Sequence, residues 1–138
     1  MIIKLLKKYW LTILLLLVIF ILCFINPSDF PKAPVYNFDK IVHAIMFMGL
    51  SGVIFFDNTR YLRSRISEIR IFSGTFLFPV AIGGLIEILQ RYLTTTRTGD
   101  WMDFLYDVIG VIIGMEIAFI INHCFLTPKS PKGDFDAV

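Results

Sequence analysis

Four long apolar runs, separated by short polar stretches, dominate the pattern of hydrophobic and polar positions along the chain. An apolar run of about 20 residues is long enough to cross a membrane as a helix. The length of the chain suits a single domain. The pattern therefore predicts an all-α polytopic integral membrane protein, a four-helix transmembrane bundle with short loops within residues 1–126, with spans at about 9–25, 39–56, 71–93 and 103–125.

The composition agrees with a membrane location. Hydrophobic residues make up 57% of the 138 residues, charged residues make up 17%, and the mean hydropathy is +0.75. A soluble domain of this size should be about a quarter charged, so the composition disfavours an ordinary soluble domain. The formal net charge is +2, which is too weak to indicate a nucleic-acid partner.

The distribution of lysine and arginine predicts the orientation in the membrane. Nine of the 13 basic residues lie before the first run, between the second and third runs, or after the fourth run. Cytoplasmic segments of membrane proteins carry an excess of these residues, so both termini are predicted to be cytoplasmic. Residues 127–138 are predicted to form a disordered cytoplasmic tail. Cys23 and Cys124 then end their spans on opposite sides of the membrane, too far apart for a disulfide.

Polar residues from three spans fall at a similar depth below the outer surface. Asp39 and His43 are four residues apart at the start of the second span, and Lys40 follows Asp39. Glu87 lies near the end of the third span, about 9 Å below its outer end at 1.5 Å per residue. Charged side chains within spans are costly and usually face a cavity or a partner. The sequence therefore predicts a polar site at this depth, whose further members are Gln90, Arg97, Asp100, Asp103 and Asp107.

The fourth span carries acidic and small residues on one helical face. Asp103, Asp107, Gly110 and Gly114 follow the spacing i, i+4, i+7 and i+11, which places them along one side of a helix. The Gly110–Gly114 pair permits the close approach of another helix. That helix belongs either to the same bundle or to a second copy, so an oligomer formed through these glycines is one possibility. The stripe is predicted to face the interior of the bundle.

The ordered polar motifs resemble those of the VanZ-like family. Residues 39–43 (DKIVH) are similar to the family's DKxxH motif, and residues 84–90 (GLIEILQ) contain its ExxQ motif. Residues 97–110 are similar to its RxxDxxDxxxNxxG stretch. One position departs from the pattern, since Asp107 stands where the family usually has asparagine. This departure adds a possible charge to the predicted site.

The resemblance implies a small multi-pass envelope protein of the bacterial inner membrane. The family is named for a membrane protein linked to low-level resistance to teicoplanin, a lipid-bearing glycopeptide antibiotic that targets cell-wall precursors. The resemblance implies an envelope role and a possible effect on teicoplanin susceptibility. It supplies neither a reaction nor a cofactor.

An outward-facing site that binds or modifies an envelope molecule is one interpretation of the polar residues. Its ligand would be a lipid head group, a lipid-linked cell-wall precursor or a lipoglycopeptide, whose chains stay in the bilayer. Arginine and lysine could hold phosphate or carboxylate, and His43, oriented by Asp39, could act as a general acid or base. The candidate catalytic residues are His43, Glu87 and Asp103, and the candidate ligand-binding residues are Asp39, Lys40, Gln90, Arg97, Asp100 and Asp107.

Three other interpretations stay open. The polar residues could be interhelical hydrogen bonds and ion pairs in a non-enzymatic membrane partner protein. One imidazole with several carboxylates also suits a divalent metal, as in a metal-dependent hydrolase or transferase. Glu116 is the one acid deep in a span, and such acids can serve proton-coupled transport, although no second deep titratable group lines a path to it.

Overall fold

The chain folds into helices wherever its structure is described. The computed structural model describes residues 2–25, 37–61, 68–94 and 99–126, and these ranges contain no strand. The all-α prediction is confirmed. The elements are α1 (Ile2–Lys8), α2 (Trp10–Phe24), α3 (Phe38–Tyr61), α4 (Glu68–Phe72), a π-helical turn (Ser73–Leu77), α5 (Phe78–Leu93), α6 (Trp101–Ile121) and a second π-helical turn (Asn122–Leu126).

Three helical segments are long and apolar enough to cross a membrane on their own: Phe38–Thr59, Ser73–Leu93 and Trp101–Cys124. The first predicted span is shorter than expected, because α2 has only 15 residues and extends about 22 Å against a hydrocarbon core of about 30 Å. Together with α1 it passes the same test, with a bend of 74° between the two helices. Within the described ranges, three segments are therefore able to cross a membrane, or four when this bent pair counts as one crossing. The predicted tail at 127–138 lies outside the described residues.

Helices α3 and α6 are in close contact, and the two stripe glycines make this contact possible. A Cβ atom added at Gly110 would overlap the backbone carbonyl of Ala44, and one added at Gly114 would overlap that of Met48. Both glycines are buried. The glycine pair therefore packs within the bundle, where α3 covers it, and an oligomer of the chain stays a prediction.

Helix α2 is attached to the rest of the bundle at both ends. At one end, the side-chain amide of Gln90 donates to the Cys23 carbonyl at 2.7 Å. At the other end, the Thr12 hydroxyl donates to Asp57 at 2.8 Å. Between them, apolar side chains form a common core, which includes Ile19, Cys23, Phe47, Leu50, Ile54, Ile86 and Val111. Neither cysteine forms a disulfide, as predicted.

The π-helical turn before α5 is stabilised by a side chain from α3. Pro79 has no amide hydrogen, so it cannot donate to the Thr75 carbonyl four residues earlier. The Ser51 hydroxyl donates to that carbonyl at 2.9 Å, and both residues are fully buried. A neighbouring helix thus supplies the hydrogen bond that proline removes, as is common in membrane bundles.

Candidate functional site

The polar residues predicted from three separate spans meet at one end of the bundle. Helix α3 begins at this end, α5 terminates there, and α6 begins there after a short connection. The antiparallel course of the helices therefore places the first turns of α3 and α6 beside the last turns of α5. The residues that come together there are Lys40, His43, Glu87, Asp100, Asp103 and Asp107, and we call this set the polar cluster.

Lys40 joins α3 to the start of α6. Its ammonium group donates to Asp100 Oδ2 and to Asp103 Oδ1, both at 2.8 Å. Asp100 also accepts the amide hydrogen of Met102 and so caps α6 at its N-terminus. The Lys40 ammonium, and after it the Met102 amide, hold the pKa of Asp100 below its ordinary value. Asp100 is therefore ionised at neutral pH, and the charge of Lys40 is already balanced within the chain.

His43 is paired with Asp107 and not with Asp39. The His43 Nδ1 atom lies 2.9 Å from Asp107 Oδ1, and both side chains are almost completely buried. An ionised carboxylate can only accept a hydrogen bond, so with Asp107 ionised His43 donates through Nδ1, and Nε2 is the ring nitrogen that this contact does not use. Asp39 is exposed to the surroundings. The structure thus assigns to Asp107 the orienting contact that sequence spacing suggested for Asp39.

Glu87 lies between the helices with one of its two oxygens engaged. Its Oε2 atom accepts the backbone amide hydrogen of Asp100 at 2.8 Å. Gly99 permits this approach, because a Cβ atom there would overlap the Glu87 carbonyl. The second oxygen, Oε1, is buried and has no hydrogen-bond partner among the described residues. An unsatisfied buried acceptor costs about 1–3 kcal/mol, so Glu87 Oε1 is available for a donor from outside the chain.

The three residues named as candidate catalytic groups converge in space. His43, Glu87 and Asp103 each offer one nitrogen or oxygen atom, and these atoms all lie within 4.8 Å of one another. His43 is 2% exposed, and Glu87 and Asp103 are each 9% exposed. The arrangement can therefore surround a small polar group or a cation with one imidazole and two carboxylates.

Two of the candidate ligand-binding residues differ from their predicted setting. Gln90 is buried beside Glu87 on α5, but its amide holds α2 through the Cys23 carbonyl. Asp39 is exposed at the start of α3. Arg97 lies outside the described residues. The remaining candidates, Lys40, Asp100 and Asp107, all contact another member of the polar cluster.

A second polar network lies at the opposite end of the bundle. Thr12 donates to Asp57, and the Tyr9 hydroxyl donates to Asn58 at 2.8 Å. Three of these side chains are buried. The signal in the sequence was the isolated Thr12 within an otherwise apolar run, since a buried hydroxyl needs a partner. The network joins α2 to α3.

Glu116, the acid considered for proton transport, is not part of the polar cluster. It is exposed on α6 and lies nine residues beyond Asp107, which is about 13 Å along the helix axis. Glu116 can therefore serve as a control position, because it is an acidic residue that lies far from the candidate site.

The comparisons with known proteins identify one family. A family model described as VanZ/LLP1 matches residues 5–122 of the chain. This range includes every member of the polar cluster. No curated protein and no solved structure matches the chain.

Proposed function

The chain belongs to the VanZ/LLP1 family, and on that basis we propose that it is an envelope protein whose polar cluster binds the head group of a lipid-linked or cell-wall-related molecule. The observation that carries the proposal is the free, buried Oε1 atom of Glu87 beside His43. A site with open acceptors at the end of a membrane bundle suits a ligand that has polar groups and a membrane-embedded chain.

The charges of the polar cluster indicate which head-group atoms it would contact. The sequence suggested that Lys40 holds phosphate or carboxylate, but its ammonium group already contacts two aspartates. The groups of the polar cluster that can still accept a hydrogen bond include two buried oxygens without a partner among the described residues, Glu87 Oε1 and Asp107 Oδ2. In the neutral imidazole, His43 Nε2 is a further acceptor. Acceptors of this kind favour hydroxyl, amide and amine hydrogens. Sugars and amino groups of a lipid-linked cell-wall precursor, or of a lipoglycopeptide such as teicoplanin, supply these donors.

We further propose that the polar cluster faces outward from the bacterial inner membrane, with both termini in the cytoplasm. The cluster lies at the end of the bundle opposite to α1, which carries Lys4, Lys7 and Lys8. In a Cys124→Ser background, a cysteine replacing Asp39 should react with a membrane-impermeant maleimide in intact cells. A cysteine replacing Lys4 should react only after the membrane is permeabilised. The reverse labelling pattern would overturn this orientation.

The effect on teicoplanin susceptibility tests whether ligand binding matters in the cell. We expect a susceptible bacterium that produces the wild-type protein to show at least about a twofold change in the minimal inhibitory concentration. Glu87→Gln should abolish the change at equal protein abundance, because it replaces the carboxyl group by an amide of the same size, whose NH2 group cannot accept a hydrogen bond. Glu116→Gln makes the same chemical change at an exposed position and should retain the wild-type effect.

The same experiment separates binding from a purely structural role. In the Glu87→Gln variant, the side-chain amide oxygen can still accept the Asp100 amide hydrogen, so helix packing should be preserved. A protein that acts only as a packing partner for another membrane protein would therefore keep its effect in this variant. Retention of the wild-type effect by Glu87→Gln would exclude the proposed binding function.

A further inference from the structure

We propose that His43, Glu87 and Asp103 form a binding site for one divalent transition-metal ion, with Zn²⁺ or Mn²⁺ as the best match. The three residues come from three different helices, α3, α5 and α6, so the site exists only in the folded bundle. It rests in part on the proposed function and changes its contacts: with the ion bound, the head group would contact the ion in place of Glu87 Oε1 and His43 Nε2. The metal site itself stands without that function.

The donor atoms have the composition and proximity that such an ion requires. One imidazole nitrogen and two carboxylate oxygens lie within 4.8 Å of one another. Ligand atoms around a tetrahedral ion with bonds of 2.0–2.2 Å are about 3.4 Å apart. Small side-chain rotations would therefore close the site. Imidazole favours Zn²⁺ over Mg²⁺ and Ca²⁺, and carboxylates also suit Mn²⁺.

Glu87 supplies an observation that is independent of the clustering of acids. Its side chain is 9% exposed, and its Oε1 atom is buried without a hydrogen-bond partner within the described ranges. The other oxygen is fixed by the Asp100 amide, which holds the carboxylate in place. A bound cation would satisfy the free oxygen without any change in the backbone.

The neighbours of the three ligands have the arrangement that commonly supports a metal site. Metal-binding histidines usually donate their second ring N–H to a carboxylate, which fixes the ring and makes the free nitrogen a better ligand. Asp107 provides this contact to His43 Nδ1 at 2.9 Å, which leaves Nε2 for the ion. Lys40 donates to Asp103 Oδ1 and so fixes that carboxylate. The other oxygen of Asp103 remains to coordinate the ion.

The charge balance also favours a cation. The polar cluster contains four carboxyl groups, from Glu87, Asp100, Asp103 and Asp107. Lys40 contacts two of them and His43 contacts a third. A divalent ion would neutralise part of this excess. Three protein ligands leave one coordination position for water or for a ligand atom, as in catalytic zinc sites. Phosphate or carboxylate oxygens of a head group could occupy that position.

The test measures metal binding by the purified full-length protein in detergent after treatment with EDTA. Calorimetric titration with Zn²⁺ and with Mn²⁺ should show binding of one ion per chain. Elemental analysis of the protein after gel filtration should give the same stoichiometry. Glu87→Gln should weaken the affinity by at least about tenfold, and Glu116→Gln should bind like the wild type. Co²⁺ should give visible absorption bands of a nitrogen-containing site, and these bands should be lost in His43→Gln.

Each outcome bears on the metal site separately from the proposed function. The site is disproved if the wild type shows no saturable binding of one ion per chain, or if Glu87→Gln binds with unchanged affinity. Thermal unfolding without metal shows whether each variant is folded, so His43→Gln and Glu87→Gln provide independent tests. Stoichiometric binding that depends on Glu87, together with an unchanged teicoplanin susceptibility, would support the metal site and reject the ligand-binding function.

Discussion

Replacing Gly114 by alanine should strongly destabilise the bundle. The added Cβ would overlap the Met48 carbonyl of α3. That atom belongs to the backbone, so no side-chain rotation can relieve the overlap and the two helices must separate. Overpacking of a close interface costs about 1–3 kcal/mol. We expect a clear loss of thermal stability in detergent, and the same direction for Gly110→Ala.

Gly52 provides the matched control for this prediction. It lies on α3 in the same interface, but a Cβ atom there would lie 3.9 Å from the Gly114 carbonyl oxygen, an ordinary contact distance. Gly52→Ala adds the same methyl group and improves intrinsic helix propensity. Its unfolding temperature should therefore stay close to that of the wild type. Equal unfolding temperatures for Gly52→Ala and Gly114→Ala would show that α3 and α6 do not pack through this glycine pair.

Much of the bundle could be predicted from the sequence because helical spacing and hydropathy are local properties. The second, third and fourth apolar runs each contain a helix long enough to span a membrane. The first run was harder to interpret, since the bend of 74° between α1 and α2 depends on how the N-terminal residues pack. Likewise, the spacing of Gly110 and Gly114 predicted a close contact, but only the fold shows that α3 makes it.

The candidate site illustrates the same division between local and tertiary information. The common depth of His43, Glu87 and Asp103 was predictable from the rise of a helix, and the structure brings these side chains together. Their pairing was not predictable, because spacing along α3 favoured Asp39 as the neighbour of His43. The rotation of α3 against α6 instead places Asp107 there. Gln90 contacts α2 for a similar reason, since sequence spacing carries no information about a third helix.

The other large effect that we expect is the loss of a bound envelope molecule when Glu87 is replaced by glutamine. A hydrogen bond between a ligand donor and a buried carboxylate contributes about 1.5–3 kcal/mol. Replacing this acceptor oxygen by an NH2 group in Glu87→Gln should therefore weaken binding by about ten- to a hundredfold. The Asp100 amide contact persists in this variant, so the loss should occur without unfolding. The Glu116→Gln variant controls for the removal of one acidic charge from the chain.

Native mass spectrometry of the protein purified from bacterial membranes tests the binding site most directly. Wild-type protein should retain one polar-headed, lipid-linked molecule per chain at collision energies that remove ordinary bilayer lipids. Glu116→Gln should retain the same mass at the same occupancy, whereas Glu87→Gln should lose most of it. An unchanged occupancy in Glu87→Gln, or a wild-type protein that retains no such molecule, would contradict a head-group site at the polar cluster.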